Sequence, residues 1–239
     1  MTGINDTKIW AVVPAAGIGQ RMASELPKQY LPLAGKRVIE HALERIASVE
    51  GVQSVVVALQ DNDHIWQTVN LPQGVEVVTA TGGEQRCHSV YNGLLDLHGL
   101  AHDEDWVLVH DAARPCVRVD DIEKLLNVIQ GHRVGGLLAL KITDTVKRGD
   151  DSARAIETVD RSRLWRALTP QVFRYGLLRE ALREVIDNGE AVTDEAQAVE
   201  RLGYQPLLVE GSADNLKITT PLDMAIAALY LQQQEQPSN

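Results

Sequence analysis

The sequence predicts an α/β fold in which a mostly parallel β-sheet is covered by helices on both faces. Short apolar runs alternate along the chain with amphipathic stretches of helical length, and this alternation is typical of βαβ units. A length of 239 residues suits one large domain better than two. Residues 1–239 are therefore predicted to form a single domain.

The first half of the chain contains four predicted strands and three predicted helices. The runs 9–13, 52–59, 75–79 and 106–109 are apolar and rich in Val, as buried strands are. Residues 38–49 carry Ile39, Leu43 and Ile46 at the spacing of one helical face. A second helical pattern runs from the Gly82-Gly83 loop to about residue 97, and a third covers 122–129.

The second half continues the alternation. Strands are predicted at 135–142, 205–209 and 216–219, with a short additional strand at 172–173. Helices are predicted at 175–188, 193–202 and 221–232. The whole pattern therefore gives a sheet with helices on both sides.

Residues 141–163 break the alternation. This segment is dense in charged and β-branched side chains from Thr143 to Arg148, and Gly149-Asp150-Asp151 is a turn signal. The pattern predicts a hairpin that projects from the sheet. A solvated surface hairpin without a further role fits the same pattern.

Composition excludes several classes of protein. The chain has 23 Lys and Arg against 33 Asp and Glu, a net charge of −10, which argues against non-specific nucleic-acid binding. The two cysteines, Cys87 and Cys116, form no disulfide framework and no metal-ligand pair. The N-terminus lacks a secretory signal, and no apolar run is long enough to cross a membrane. We expect a cytoplasmic protein with no membrane or nucleic-acid partner.

The loop after the first strand is a candidate phosphate-binding site. It reads Pro14-Ala15-Ala16-Gly17-Ile18-Gly19-Gln20-Arg21-Met22, followed by Pro27-Lys28-Gln29-Tyr30. Small residues let a nucleotide approach the backbone closely, and two cations beside them suit a polyphosphate. Met22 fits neither the Gly-Lys of a P-loop nor the third small residue of a dinucleotide fingerprint. The alternative is a tight turn with two surface cations.

The loop after the fourth strand, His110-Asp111-Ala112-Ala113-Arg114-Pro115, is a candidate metal and phosphate site. Asp111 could hold Mg²⁺ while phosphates and water complete its coordination, or it could cap a helix. Arg114 offers a planar fork for a phosphate. For His110 we favour a packed, hydrogen-bonded ring, because no second His or Cys stands at ligand spacing.

Three further segments carry polar groups at predicted loop or strand positions. Gly82-Gly83-Glu84-Gln85-Arg86 with Ser89 could read a base and a ribose, or cap the helix. Thr193-Asp194-Glu195 is predicted to cap the next helix. Lys217 lies between Leu216 and Ile218 in a predicted strand, and it would face a phosphate or an exposed edge.

Taken together, these segments closely resemble the 2-C-methyl-D-erythritol 4-phosphate cytidylyltransferase family of the bacterial non-mevalonate isoprenoid pathway. The resemblance runs from residue 9 to beyond 220. It includes the loops at 14–22, 27–29 and 110–115, together with Asp144-Thr145-Val146-Lys147, Leu168-Thr169-Pro170-Gln171, Thr193-Asp194-Glu195 and Asp214-Asn215-x-Lys217. It implies a Rossmann-like, twisted sheet of the nucleotide-diphospho-sugar transferase type. It also implies a homodimer whose projecting β-arms, residues 141–163 here, interlock.

The resemblance also implies a reaction and a set of site residues. CTP and methylerythritol 4-phosphate would give the cytidine diphosphate derivative and pyrophosphate, with Mg²⁺ as cofactor on Asp111. Arg21 and Lys28 would stabilise the transition state, while Arg161 and Lys217 would hold the acceptor for attack. The implied CTP contacts are Ala15, Ala16, Gly17, Gly82, Glu84, Ser89 and Ala112. The implied acceptor contacts are Arg114, Thr145 and Thr169, with Thr145 reaching the partner subunit's site.

Two positions depart from the family pattern, and two other functions compete with it. The family often has Asp where Glu84 stands, and the longer Glu84 side chain must fold back to reach the ribose. The family also often has a second basic residue where Gln20 stands, while Arg21 is retained. A cytidylyltransferase acting on ribitol 5-phosphate would share the nucleotide loops and differ around Thr145, Arg161 and Thr169. A non-catalytic nucleotide sensor would not need Arg21, Lys28, Asp111 and Lys217 together.

Overall fold

A computed structural model describes residues 7–17 and 26–236. Its centre is a seven-stranded sheet. The spatial order of its strands is β11 (Leu207–Glu210), β7 (Gly135–Lys141), β10 (Trp165–Arg174), β6 (Trp106–Val109), β1 (Ile9–Pro14), β4 (Val52–Leu59) and β5 (Glu76–Thr81). Strand β10 is antiparallel to both of its neighbours, β6 and β7, whereas the pairs β1–β4, β1–β6, β4–β5 and β7–β11 are parallel. The predicted mostly parallel sheet is confirmed.

The described residues form eleven strands and six α-helices. The strands are β1 (Ile9–Pro14), β2 (Pro32–Leu33), β3 (Lys36–Arg37), β4 (Val52–Leu59), β5 (Glu76–Thr81), β6 (Trp106–Val109), β7 (Gly135–Lys141), β8 (Val146–Gly149), β9 (Ala155–Val159), β10 (Trp165–Arg174) and β11 (Leu207–Glu210). The helices are α1 (Val38–Ala47), α2 (Arg86–Asp96), α3 (Val119–Ile129), α4 (Tyr175–Asp187), α5 (Glu195–Arg201) and α6 (Pro221–Glu235). Short 3₁₀ turns cover Lys28–Tyr30 and Trp66–Thr68.

Helices cover both faces of the sheet because successive strand side chains point to opposite sides. In β1, Ala11 and Val13 pack with α1 and α3, while Trp10 and Val12 pack with α2, α4 and α5. A third cluster joins α6 to the β2–β3 hairpin and includes Cys116 and Ile218. The sheet therefore has a core on each side, as its apolar strands predict.

Two predicted strands differ from those observed. Residues 216–219 form no strand, since the Ile218 side chain packs against α6 in the third cluster and its backbone N–H donates to Ala113 O at 2.8 Å. The short strand predicted at 172–173 is the end of a ten-residue strand, β10. Its first three residues, Trp165, Arg166 and Ala167, are partly or fully exposed. The charged Arg166 interrupts them, so they do not form an apolar run.

The predicted hairpin is present. Strands β8 and β9 pair antiparallel from Val146↔Val159 to Gly149↔Ala155, in a separate two-stranded sheet. Their residues are almost entirely exposed. Within the described parts of the chain, no helix is long and apolar enough to cross a membrane.

Candidate active site

The candidate site lies at the carboxyl ends of the parallel strands β1, β5 and β6. Strands β1 and β6 are neighbours, with Val12 opposite Val109, so the loops that follow them meet at one edge of the sheet. The loop after β5 joins them from the other side of β4. Ligands of open α/β sheets bind at such an edge.

A first cavity of about 190 Å³ opens between these loops. Six of the seven residues predicted to contact CTP line it, namely Ala15, Ala16, Gly17, Glu84, Ser89 and Ala112. Lys28, Arg86 and Lys217 also line it and bring positive charge beside the small residues. Two carboxylates, Glu84 and Asp111, are in the wall as well. A narrow, small-residue wall with cations at its end is suited to a nucleoside and its phosphates.

The seventh residue, Gly82, brings two loops together. A Cβ atom at this position would lie 2.3 Å from the Ala16 Cβ and 2.9 Å from the Leu59 carbonyl oxygen. Only glycine lets the loop after β5 approach the loop after β1 this closely. Ser89 Oγ then accepts from the Gly83 N–H at 3.0 Å, which ties the loop to α2.

Asp111 is the most strongly paired carboxylate of the site. Its Oδ1 accepts from Arg86 Nε at 2.9 Å and its Oδ2 from Lys217 Nζ at 2.8 Å, while Arg114 Nε lies 3.6 Å from Oδ2. Burial alone would raise the pKa of Asp111, but these three cations hold it well below its usual range. Asp111 is therefore ionised, and it pairs with cations instead of capping a helix.

A second cavity of about 210 Å³ adjoins the first. The two cavities share the side chains of Arg86, Asp111 and Lys217. The second cavity also contains Arg114 and Thr169, the predicted acceptor contacts. Arg114 is fixed by a hydrogen bond from Nη1 to Asn215 O at 2.8 Å. Asp111 and its cations thus stand between two compartments.

His110 is a packed, hydrogen-bonded residue, as predicted from the lack of a second His or Cys at ligand spacing. Its ring is fully buried, with Nε2 3.0 Å from Arg114 O and Nδ1 3.1 Å from Thr169 Oγ1. Burial lowers the pKa of His110 to about 4. A neutral ring in this position links the turn after β6 to β10, and Thr169 Oγ1 also accepts from the Asp111 N–H at 3.1 Å.

Lys28 enters the first cavity from a 3₁₀ turn. Its Nζ donates to Ile218 O at 3.2 Å. The next residue, Gln29, is buried and donates to Ala15 O at 2.6 Å, which holds the turn against the loop after β1. The segment containing Lys217 and the segment containing Lys28 therefore contact each other directly.

Three predicted residues are not part of this arrangement. Arg21 lies outside the described residues. Thr145 and Arg161 are exposed on either side of the β8–β9 hairpin, and neither lines either cavity. Any contact of these two residues with a substrate has to be made outside their own chain's cavities.

Sequence reasoning assigned no role to two residues at the centre of the site. Arg86 forms two hydrogen bonds to Glu195, one of them from Nη2 to Oε2 at 3.0 Å. Glu195 is fully buried at the start of α5, where Asp194 caps the helix as predicted. Both residues stand in segments singled out above, but the pairing joins positions 109 residues apart. One-dimensional spacing does not show such a contact.

The carboxylates of the site do not form a metal cage. Among the residues that the structure describes, no group of three or more His, Cys, Asp or Glu side chains could hold a metal ion. Asp111 stands as a single carboxylate among cations. The chemical character of the site is that of an anion receptor whose cations are partly balanced by two buried carboxylates, Asp111 and Glu195.

Comparison with known proteins agrees with this geometry. The family model of 2-C-methyl-D-erythritol 4-phosphate cytidylyltransferase matches residues 9–233. The chain is 44% identical to the protein of that name from Hahella chejuensis over 228 residues, which is 95% of each chain. It is 45% identical to the Yersinia pseudotuberculosis protein of the same name, over 97% of this chain and 95% of that one.

A solved structure agrees as well. The 2-C-methyl-D-erythritol 4-phosphate cytidylyltransferase of Francisella tularensis superposes with a TM-score of 0.81 at 35% identity, covering 94% of this chain and all of that one. The chain belongs to the 2-C-methyl-D-erythritol 4-phosphate cytidylyltransferase family.

Proposed function

We propose that this protein transfers CMP from CTP to 2-C-methyl-D-erythritol 4-phosphate and releases pyrophosphate, a step of the non-mevalonate isoprenoid pathway. The observation that carries the proposal is the pair of adjoining cavities that share Arg86, Asp111 and Lys217. A two-substrate transfer between phosphates needs two anion-binding compartments that meet at the reacting atoms. Family membership then names the two substrates.

The first cavity is assigned to CTP. Its wall of Ala15, Ala16, Gly17 and Ala112 leaves backbone close to the ligand. Lys28, at the same cavity, supplies charge for the phosphates, and Arg21 is assigned the same task by the family pattern. Both would offset the negative charge that grows on the phosphoryl oxygens in the transition state.

The second cavity is assigned to the acceptor. Arg114 and Thr169 offer a guanidinium and a hydroxyl to a polyol phosphate. Lys217, on the shared wall, is placed to orient the acceptor phosphate toward CTP. The family pattern adds Arg161 and Thr145 to this set.

The chemistry follows from charge and position. An oxygen of the acceptor phosphate bonds to the α-phosphorus of CTP, the bond from that phosphorus to the bridging oxygen breaks, and pyrophosphate leaves with the electron pair. A phosphate oxygen at neutral pH is already a nucleophile, so no side chain has to remove a proton. The task of the protein is to bring two anions together and to stabilise the developing charge.

Asp111 fits Mg²⁺ of the kind used by nucleotidyltransferases. A carboxylate offers about four lone pairs, and its two close donors, Arg86 and Lys217, take one on each oxygen. One carboxylate with phosphate and water ligands is the usual Mg²⁺ arrangement. When held by Asp111, the ion would neutralise part of the charge on the phosphates.

A homodimer built through the β8–β9 hairpin completes the proposal. Thr145 and Arg161 flank the hairpin, are exposed and lie outside both cavities. Residues 141–163 of one chain would place them in the partner's second cavity. Sedimentation tests this assembly. The wild-type protein should sediment as a dimer, and removal of the Gly149-Asp150-Asp151 turn should weaken that dimer.

The experiment for the reaction itself is pyrophosphate release with CTP and Mg²⁺. We expect release with methylerythritol 4-phosphate and little with ribitol 5-phosphate at the same concentration. The reverse preference would assign the chain to the ribitol phosphate enzymes. Binding of CTP without release from either acceptor would indicate a nucleotide sensor.

A further inference from the structure

Arg86, which lines both cavities, forms a buried ion pair with Glu195, and no part of the reaction above uses this pair. Arg86 is the first residue of α2 and Glu195 the first residue of α5. The Glu195 side chain is 1% exposed and the Arg86 side chain 24%. A bidentate guanidinium–carboxylate pair fixes the relative position of the two helix starts.

Glu195 is held rigidly on the acceptor side of the site. Gln171 of β10 accepts from the Ala196 N–H at 2.8 Å and donates to Asp194 Oδ2 at 2.9 Å. Asp194 in turn accepts from the Gln197 N–H at 3.0 Å. The start of α5 is therefore docked on β10, which fixes the backbone that carries Glu195.

The remaining guanidinium nitrogen of Arg86 holds Asp111. Its Nε donates to Asp111 Oδ1 at 2.9 Å, while Nη1 and Nη2 are directed to Glu195. Lys217 contacts the other oxygen of Asp111 at 2.8 Å. The carboxylate is thus fixed between two donors, and the orientation of one of them is set by Glu195.

We infer that Arg86 and Glu195 are positioning residues: the pair, anchored on β10, sets the orientation of the Asp111 carboxylate at the junction of the two cavities. This inference rests on the proposed function, since it assigns the pair a task in that reaction. Without Glu195, Arg86 has Asp111 as its nearest anion and can occupy both of its oxygens. The lone pairs that Asp111 would offer to Mg²⁺ would then be occupied by Arg86.

Stability alone gives no reason for this pair. Burying two charges costs desolvation, and replacing a buried ion pair by apolar side chains is often neutral or stabilising. A pair that only supports the fold can therefore be replaced as a unit. A pair that orients Asp111 cannot, because an apolar replacement has no donor for Oδ1.

The test compares Arg86→Met, Glu195→Leu and the double variant with the wild type. Each single variant removes one partner of a buried ion pair, so its urea midpoint should fall. The double variant should recover most of the midpoint, while kcat with CTP and methylerythritol 4-phosphate stays about 10- to 100-fold below wild type, the usual loss for residues that support a ligand-binding carboxylate. A double variant with recovered midpoint and wild-type kcat would overturn the inference.

A milder variant decides the matter if the double variant does not fold. Glu195→Gln keeps the shape and removes the charge, and Glu200→Gln on the exposed face of the same helix is the matched control. We expect an unchanged urea midpoint for Glu200→Gln and a smaller fall for Glu195→Gln than for Glu195→Leu. We also expect kcat to be lowered about tenfold in Glu195→Gln alone, with KM for CTP changed less than about threefold. Equal kcat in the two variants would contradict the inference. An inactive wild type would instead contradict the proposed function.

Discussion

At the scale of single residues, the site depends on how a few charges are placed around Asp111. Three cations lie near one carboxylate, so the immediate surroundings of Asp111 are net positive although the chain carries −10. Two anionic substrates can therefore enter a globally acidic protein. Local charge, rather than net charge, decides what the site binds.

Lys28 is the described residue for which a loss of catalysis is most directly expected. Lys28→Ala should lower turnover by about 10²- to 10³-fold, because one donor to the developing charge is removed. Pyrophosphate release under saturating substrates measures this. Lys36→Ala is the control, since Lys36 is exposed and pairs with Glu44 away from the cavities. Turnover of Lys28→Ala close to that of Lys36→Ala would remove Lys28 from the transition state.

The two cysteines should be inert in the folded protein. Both side chains are buried, and burial together with nearby Asp214 raises the pKa of the Cys116 thiol to about 12. Since only a thiolate reacts rapidly, a thiol reagent at pH 8 should label neither Cys87 nor Cys116 until urea is added. Unfolded protein should then show two thiols per chain. Fast labelling of Cys116 in native protein would show that the cluster beneath α6 opens readily.

Some of these residues could be found in the sequence and others could not. Asp111, Arg114 and Lys28 stand in loops beside strand ends, so their region was predictable from strand order along the chain. Arg86 and Glu195 acquire their role from each other, across 109 residues. A contact of this length depends on how the helices pack, which local pattern does not encode.

At the scale of elements, helix α1 shows how one polar side chain joins a helix to a distant loop. Glu40 accepts from the Arg37 N–H at 2.7 Å and from the Asn70 N–H at 2.7 Å. Burial raises the pKa of Glu40, but these hydrogen bonds and the charge of Arg37 outweigh it and leave the pKa below its usual value. The folded state therefore favours the ionised carboxylate.

The consequence is a pH-dependent contribution to stability. A lowered pKa in the folded state stabilises the protein above the unfolded pKa, near 4.5, and this stabilisation disappears as the pH falls through the folded pKa. Glu40→Gln should lower the free energy of unfolding by about 1–2 kcal/mol at pH 7. The difference from wild type should shrink below about pH 4.5. Urea unfolding at pH 7 and pH 4 measures both values.

The control for this experiment is Glu44→Gln on the same helix. Glu44 is exposed and pairs only with the exposed Lys36 in the ion pairs of the described residues, so its replacement should change stability very little. A Glu40→Gln variant that behaves like Glu44→Gln at both pH values would show that the link between α1 and Asn70 contributes nothing.

The strand predicted at residues 216–219 was wrong because the apolar side chains there pack against the α6 cluster outside any sheet. Leu216, Lys217 and Ile218 alternate as in a strand, but Leu216 and Ile218 pack against the cluster of α6. Lys217 is nevertheless directed to Asp111, because alternation places it opposite its apolar neighbours in extended coil as well as in a strand. The start of β10 is not detectable as an apolar run, because Trp165, Arg166 and Ala167 pair with β7 while remaining largely exposed.

At the scale of the whole molecule, the order of strands in the sheet explains why two cavities adjoin. Strand β10 runs antiparallel beside β6, so Thr169 reaches the same edge as the loop after β6, where Asp111 lies. The sequence predicts the class of sheet but not this insertion. Strand order depends on which pairings close the core, and the apolar pattern of a single strand does not encode its partners.

The proposed assembly predicts complementation between two inactive chains. Asp111→Asn disables the chain's own cavities, whereas Arg161→Ala disables only the exposed segment that would serve the partner. Mixed dimers of the two variants would have one intact site. Co-refolded in equal amounts, they should recover about a quarter of wild-type activity, because half of the dimers are mixed and each has one working site of two. Activity no higher than that of either variant alone would place Arg161 in its own chain's site or outside catalysis.

In the proposed reaction the acceptor phosphate attacks the α-phosphorus of CTP directly, at the place where Asp111 lines both cavities. The most direct test is the stereochemical course at phosphorus, measured with CTP that carries sulfur in a known configuration on the α-phosphate. One in-line displacement predicts inversion of that configuration in the product. Retention would require two displacements through a covalent nucleotidyl-enzyme, and it would contradict direct attack by the acceptor phosphate.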